Sequence, residues 1–117
     1  SGNRDTSVYI LKISLNGFIN DLVAYPNPIV NLNTGLNFKF YFIAMNSEAL
    51  ANVEIFNLLG KKVKTISQPL KLRNNYILWD LRDENGELIP SGTYIYSINV
   101  RSDYWVEPVF GKFIFSR

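Results

Sequence analysis

The chain has 117 residues, 47% of them hydrophobic and 15% aromatic, with a formal charge of +2 at pH 7. That is one domain's worth of core, too short for two domains and too apolar for a disordered chain. A balance so near neutral supplies no field to recruit nucleic acid or an anionic membrane. Cysteine and histidine are both absent. Disulfide staples, thiolate metal sites, and the commonest general base and zinc ligand are therefore excluded. No apolar run approaches the ~20 residues that a membrane-spanning helix needs. Ser1-Gly2 reads as a cloning scar and no signal-peptide pattern follows it, so the chain is expected to be a piece excised from a longer protein.

Apolar alternation with period two recurs along almost the whole length, and no useful stretch fits a helical period better. Tyr9, Leu11, Ile13 and Leu15 alternate with Ile10, Lys12 and Ser14, giving a strand that ends at the turn-forming Asn16-Gly17. Leu22 to Tyr25 is a short strand halted by Pro26 and Pro28, which cannot donate to a ladder. Phe38, Phe40 and Phe42 alternate with Lys39 and Tyr41, so the three phenylalanines should share the core face. Residues 44–51 form a connecting loop rather than a helical turn. Asn52 to Leu58 and Lys62 to Ile66 flank Leu59-Gly60 and read as a hairpin. Asn75 to Asp80, Thr93 to Arg101 and Gly111 to Ser116 supply the remaining strands.

About seven to eight short strands at this spacing predict an all-β sandwich, and the short connections predict antiparallel pairing. Residues 1–20 are an upstream linker or an added edge strand of the domain at 21–117. The added strand is favoured, because Tyr9, Leu11, Ile13 and Leu15 would otherwise face water.

Four constellations could carry chemistry. The acidic stretch Asp80, Asp83, Glu84, Asn85, Gly86, Glu87 packs oxygen ligands into a Gly-containing loop, as calcium sites do. The EF-hand template fails, since it would place Leu81 at its first position and Gly92 at its twelfth. The simpler reading is a turn in which Asp83 accepts backbone bonds and Gly86 takes positive φ. Paired-carboxylate catalysis needs two acids facing each other across a cleft, whereas most acids here sit in one turn. No metal, cofactor or catalytic residue is therefore assigned.

Lys61, Lys62, Lys64, Lys71 and Arg73 fall in a run from Ile55 to Trp79 that contains no acid. They read either as an electrostatic docking edge or as solvated lysines that deter edge-to-edge pairing. The aromatics alternate into the core, unlike the exposed interleaved rings of an RNA-binding face. Trp79 should fill the centre between the sheets, and Tyr94 and Tyr96 should point inward with Ile98 and Val100. Tyr104 and Trp105 stand apart in a polar loop, as a candidate contact for a glycan or partner.

A larger pattern joins these pieces. Tyr25-Pro26-Asn27-Pro28, Val53 to Val63 with its Leu59-Gly60-Lys61-Lys62-Val63, Trp79-Asp80-Leu81, Gly92-Thr93-Tyr94 and the final Gly111-Lys112-Phe113-Ile114-Phe115-Ser116-Arg117 follow in order. In that order and spacing they resemble the C-terminal sorting domain (type A) of the type IX secretion system. They also resemble its relative, the immunoglobulin-like domain of the flagellar hook-capping scaffold protein. The resemblance spans roughly residues 22 to 117, and no single piece of it is specific. Many relatives carry Gly where this chain has Leu81. The terminal apolar strand with its basic neighbour favours sorting over the scaffold.

The resemblance implies an immunoglobulin-like β-sandwich with no chemistry of its own. Such a module directs an attached upstream cargo through the periplasm and across the outer membrane of a Gram-negative bacterium, to the surface or the medium. Its implied partners are secretion translocon components and a sortase-like protease that cleaves it away; neither nucleic acid nor membrane insertion is implied. The segments tied to export would be Gly60, Lys61, Lys62 and Val63, then Gly92 and Tyr94, then Gly111, Lys112, Phe113, Ile114 and Arg117. Two other readings compete: a self-associating scaffold module, and a carbohydrate-binding accessory module of a secreted hydrolase with Tyr104 and Trp105 as its platform.

Overall fold

The computed structural model describes residues 18–43, 49–102 and 106–117. Two antiparallel sheets pack face to face. One holds β1 (Phe18–Tyr25), β2 (Leu36–Ile43) and β5 (Arg73–Trp79), in the order β1-β2-β5. The other holds β3 (Ala49–Asn57), β4 (Lys62–Leu70), β6 (Gly92–Arg101) and β7 (Val109–Phe115), in the order β4-β3-β6-β7. This is an immunoglobulin-like sandwich of seven strands among the described residues. The fourth strand sides with β3, β6 and β7 rather than returning to the first sheet.

Alternation decides which side chains meet. On β2, Leu36, Phe38, Phe40 and Phe42 are buried, so the three phenylalanines share the core face as expected. Ile77 and Trp79 join them from β5, and Ala51, Val53, Ile55, Tyr94, Tyr96, Ile98, Phe113 and Phe115 face them from the opposite sheet. Aromatic rings lock the centre. Phe38 meets Tyr96 edge-on at 5.0 Å between centroids, Trp79 meets Phe113 edge-on at 5.9 Å, and Tyr94 stacks on Phe113 at 5.3 Å. Trp79 also donates its indole N–H to the Arg82 carbonyl at 2.9 Å, so its one polar atom is satisfied inside the core.

Several boundaries differ from the sequence reading, each for a physical reason. β1 starts at Phe18, four residues earlier than expected, and accommodates Asp21 in a bulge at φ 56. β4 runs on to Leu70 because it is an edge strand, where Pro69 forfeits no ladder bond that the sheet needs. Of the stretch read as a loop, Ala49–Ala51 belong to β3, and residues 44–48 lie outside the described residues. The strand expected at Tyr9 to Leu15 and the Asn16-Gly17 turn also lie outside them, as do Tyr104 and Trp105.

Leu81 adopts φ 66, a backbone region that glycine enters far more readily. The leucine holds it because its side chain is fully buried (0% exposed) and its carbonyl accepts the Ile89 N–H at 2.9 Å. Burying a leucine is worth about 1.5–3 kcal/mol, enough to offset a left-handed cost of roughly 1–2 kcal/mol.

Candidate functional site

Topology gathers most of the motif segments at one end of the sandwich. There β3 turns into β4, the long 80–91 connection leaves β5, β6 begins, and β7 ends against the segment that follows β1. The last of these contacts is built by the Tyr-Pro-Asn-Pro stretch. The Asn27 side chain donates to the Lys112 carbonyl at 3.3 Å and accepts the Ile114 N–H at 3.0 Å. Ile29 then donates to the Ile114 carbonyl at 2.7 Å and accepts from Ser116 at 2.9 Å, so the chain lies along the outer edge of β7.

Two turns at this end share one backbone. In the first, Asn57 N–H donates to the Lys61 carbonyl and Gly60 N–H to the Asn57 carbonyl, both at 3.0 Å, while Asn57 Oδ1 accepts from Leu59 and Lys61. In the second, Asp83 N–H donates to Glu87, Gly86 N–H donates to Asp83, and Asp83 Oδ1 accepts from Asn85 and Glu87. Gly60 and Gly86 take φ 85 and 80, the left-handed position closing a type I turn. This is the turn role read for Asp83 and Gly86. Two other acids of the stretch have partners too: Asp80 accepts from Arg82 N–H at 3.1 Å, and Glu84 accepts the Thr65 N–H at 2.8 Å.

A cleft of about 270 Å³ lies between the two turns, bordered by Lys61, Lys62, Val63, Asp83, Glu84 and Tyr94. Its lysines are less free than their sequence suggests. Lys62 pairs with Glu54 at 2.8 Å, and Lys64 pairs with Glu84 at 3.7 Å across from the acidic turn. Two residues of the positive edge, Lys62 and Lys64, are thus matched by acids that lie outside it.

The structure divides the export-motif candidates by what they touch. Val63 packs on the core, Tyr94 and Phe113 are inside it, and Gly111 lies directly beneath the Tyr96 ring, where a Cβ would collide with the phenol. Gly60 and Gly92 are exposed, one closing its turn and the other opening β6 opposite Phe115. Lys61, Lys62, Lys112, Ile114 and Arg117 project to solvent. Register brings some of these together: Lys62 pairs with Phe56, Phe56 with Ile95, and Ile95 with Lys112, one row across all four strands. Arg117 is tied in through its backbone N–H, which donates to Ser91 Oγ at 3.0 Å.

Burial pushes the Tyr94 and Tyr96 phenols above their ordinary range, and Tyr94 donates its proton to the Pro90 carbonyl at 2.5 Å. Both are therefore neutral packing groups at physiological pH. Sequence reasoning missed Asn27, which clasps β7, and Asn57, which builds the hairpin turn. The signal for Asn57 was present: Asn57-x-x-Gly60 and Asp83-x-x-Gly86 repeat one spacing. It also missed that Leu58 and Leu59 stand out in water, 66% and 94% exposed.

No family model and no curated protein matches the chain. Solved structures do. Over 85% of its length the chain superposes on dimeric latent PorU from Porphyromonas gingivalis, with a TM-score of 0.68 and 23% identity. Over 82% it superposes on PorZ, an essential bacterial surface component of the type-IX secretion system of the same organism, with a TM-score of 0.57 and 16% identity. Over 87% it superposes on the cell-surface-expressed chitinase ChiW of Paenibacillus sp. str. FPU-7, with a TM-score of 0.58 and 17% identity. What they share is a fold. The chain spans only 9% of PorU, 11% of PorZ and 9% of ChiW, so in each the likeness is to one part of a much larger protein.

Proposed function

We propose that the chain is a non-catalytic C-terminal module that directs an attached cargo across the outer membrane through the type IX secretion machinery. The observation that carries this reading is the convergence of the motif segments at one end of the sandwich, with Lys61, Lys62, Lys112, Ile114 and Arg117 on its surface. A translocon component would recognise that folded end, and a sortase-like protease would then release the module from its cargo at the cell surface. The occurrence of the same fold in PorZ, named as a surface component of that system, supports the reading. Backbone turns and edge ladders occupy Asp80, Asp83 and Glu84, which suits a recognition module better than an acid–base pair.

The test is to fuse the whole chain behind a signal peptide and a fluorescent reporter in a host with a working type IX system. Reporter at the surface or in the medium, retained in the periplasm when Lys112, Ile114 and Arg117 are replaced together by Ser, is the expected result. The mass of the exported reporter then reports cleavage. A folded wild-type fusion that stays in the periplasm would sink the sorting reading in favour of a scaffold or carbohydrate-binding module.

A further inference from the structure

The two matched turns act as an internal control for the exposed apolar tip of the hairpin. Asn57 to Lys61 and Asp83 to Glu87 make the same four hydrogen bonds, with the same left-handed glycine in fourth place. In the acidic turn the second and third places hold Glu84 and Asn85, both exposed. In the hairpin turn the same two places hold Leu58 and Leu59, 66% and 94% exposed. The backbone therefore makes no demand for leucine there, and polar residues serve its twin. Two adjacent leucines at a protruding tip lose solvation free energy unless something covers them.

We propose that Leu58-Leu59 is a docking plug that seats in a concave pocket of a protein partner, with an apolar floor and a carboxylate rim. The rim follows from charge. Among the described residues Lys62 and Lys64 are matched to Glu54 and Glu84, whereas Lys61, next to the tip, has no carboxylate partner. A pocket suits the plug better than a bilayer does. Even a single myristoyl chain binds membranes only marginally, and two leucine side chains bury less. The tip is also held in shape by its four bonds before it meets anything, which lowers the ordering cost of docking.

The experiment grafts the twin: Leu58→Glu with Leu59→Asn gives the hairpin the residues of the acidic turn. Its thermal midpoint should match wild type, because the bonds that build the turn come from Asn57 and Gly60. A photo-crosslinker, p-benzoyl-phenylalanine, is placed in place of Leu59 and, as the control, in place of Asn85. Each folded protein is irradiated in a detergent extract of outer membranes from a type IX host, a choice of source that rests on the sorting reading.

The expected result is one adduct from position 59 and none from position 85. Unlabelled wild type should compete for it about tenfold better than the grafted variant. The mapped partner peptide should be apolar and flanked by Asp or Glu. No position-59 adduct, or equal competition by the graft, overturns the proposal. So does binding to phosphatidylglycerol vesicles, or self-association in sedimentation, that the graft abolishes. The two readings fail separately: an adduct without reporter export keeps the plug and sinks sorting, and export with no adduct does the reverse.

Discussion

The two outer strands of the four-stranded sheet face one problem, an unpaired row of N–H and C=O groups, and solve it differently. β7 is covered by the chain itself: Asn27 and Ile29 make four hydrogen bonds to Lys112, Ile114 and Ser116, extending the sheet by a short parallel bridge at Ile29 and Phe115. β4 is covered by a side chain. Glu84 reaches from the 80–91 connection to accept the Thr65 N–H at 2.8 Å. A covered edge resists pairing with another chain. β7 also has the aromatic centre behind it through Phe113, whereas Leu70 is the one buried residue that β4 contributes. The asymmetry places stability on the β7 side and leaves the β4 side, with Lys61, Lys62 and the leucine tip, open to contact.

The largest effect should come from the residue that anchors the connection covering β4. Leu81→Ala removes a fully buried side chain while keeping the left-handed backbone, and should cost about 3 kcal/mol in urea unfolding. Leu81→Gly removes one more buried carbon, worth about 0.8 kcal/mol, but relieves a φ strain of roughly 1–2 kcal/mol, so it should cost up to about 1 kcal/mol less than Ala. If Gly destabilises clearly more than Ala, the left-handed strain inferred at this position is wrong.

Gly111→Ala comes next and strikes the β7 side. The added methyl meets the Tyr96 phenol, whose ring is held edge-on by Phe38, so it cannot swing away cheaply. Overpacking of this kind costs about 1–3 kcal/mol, and in a domain of this size it lowers Tm by roughly 5–15 °C. Adding Tyr96→Phe should recover part of that loss, since the hydroxyl is the nearest obstacle. A wild-type Tm for Gly111→Ala would mean that Tyr96 yields freely.

How much of this was legible in the sequence follows from the range of each interaction. Alternation is local, so Phe38, Phe40, Phe42, Trp79, Tyr94 and Tyr96 could be placed in the core from their spacing alone. The turn at Asp83 and Gly86 was legible for the same reason, since its bonds span four residues. The edge covers were not. Asn27 and Ile114 are 87 positions apart, and Thr65 and Glu84 are 19 apart. Lys61, Lys62 and Lys64 looked like one positive edge because the carboxylates that pair with Lys62 and Lys64 come from another strand and a loop. Leu58 was read as the last residue of a strand because the alternating pattern runs into it, whereas Asn57 had already begun the turn.

Smaller effects separate the two covers directly. Asn27→Ala removes two bonds to β7 and should cost about 1–2 kcal/mol, with faster hydrogen exchange at the Ile114 amide. Glu84→Ala removes one backbone bond and an ion pair whose carboxylate is 59% exposed, and should cost no more than about 0.5 kcal/mol. Its larger consequence should be concentration-dependent association through β4, visible by sedimentation. Equal destabilisation by the two variants would remove the contrast between the two covers.

The smallest effect depends on pH and belongs to the β7 side alone, because both raised phenols pack against Phe113. Their folded pKa values lie above the unfolded value of about 10, so the native state holds protons that the unfolded chain releases. The stability from keeping Tyr94 and Tyr96 neutral is fully present below about pH 10 and is lost as pH rises through their folded values. The urea midpoint should therefore fall between about pH 9.5 and 11. Tyr96→Phe cannot ionise at that position, and should flatten the fall while leaving the plateau at neutral pH nearly unchanged. A midpoint that fell equally steeply in wild type and Tyr96→Phe would assign the loss to tyrosines outside the core, and the aromatic centre behind β7 would then contribute nothing to the pH dependence.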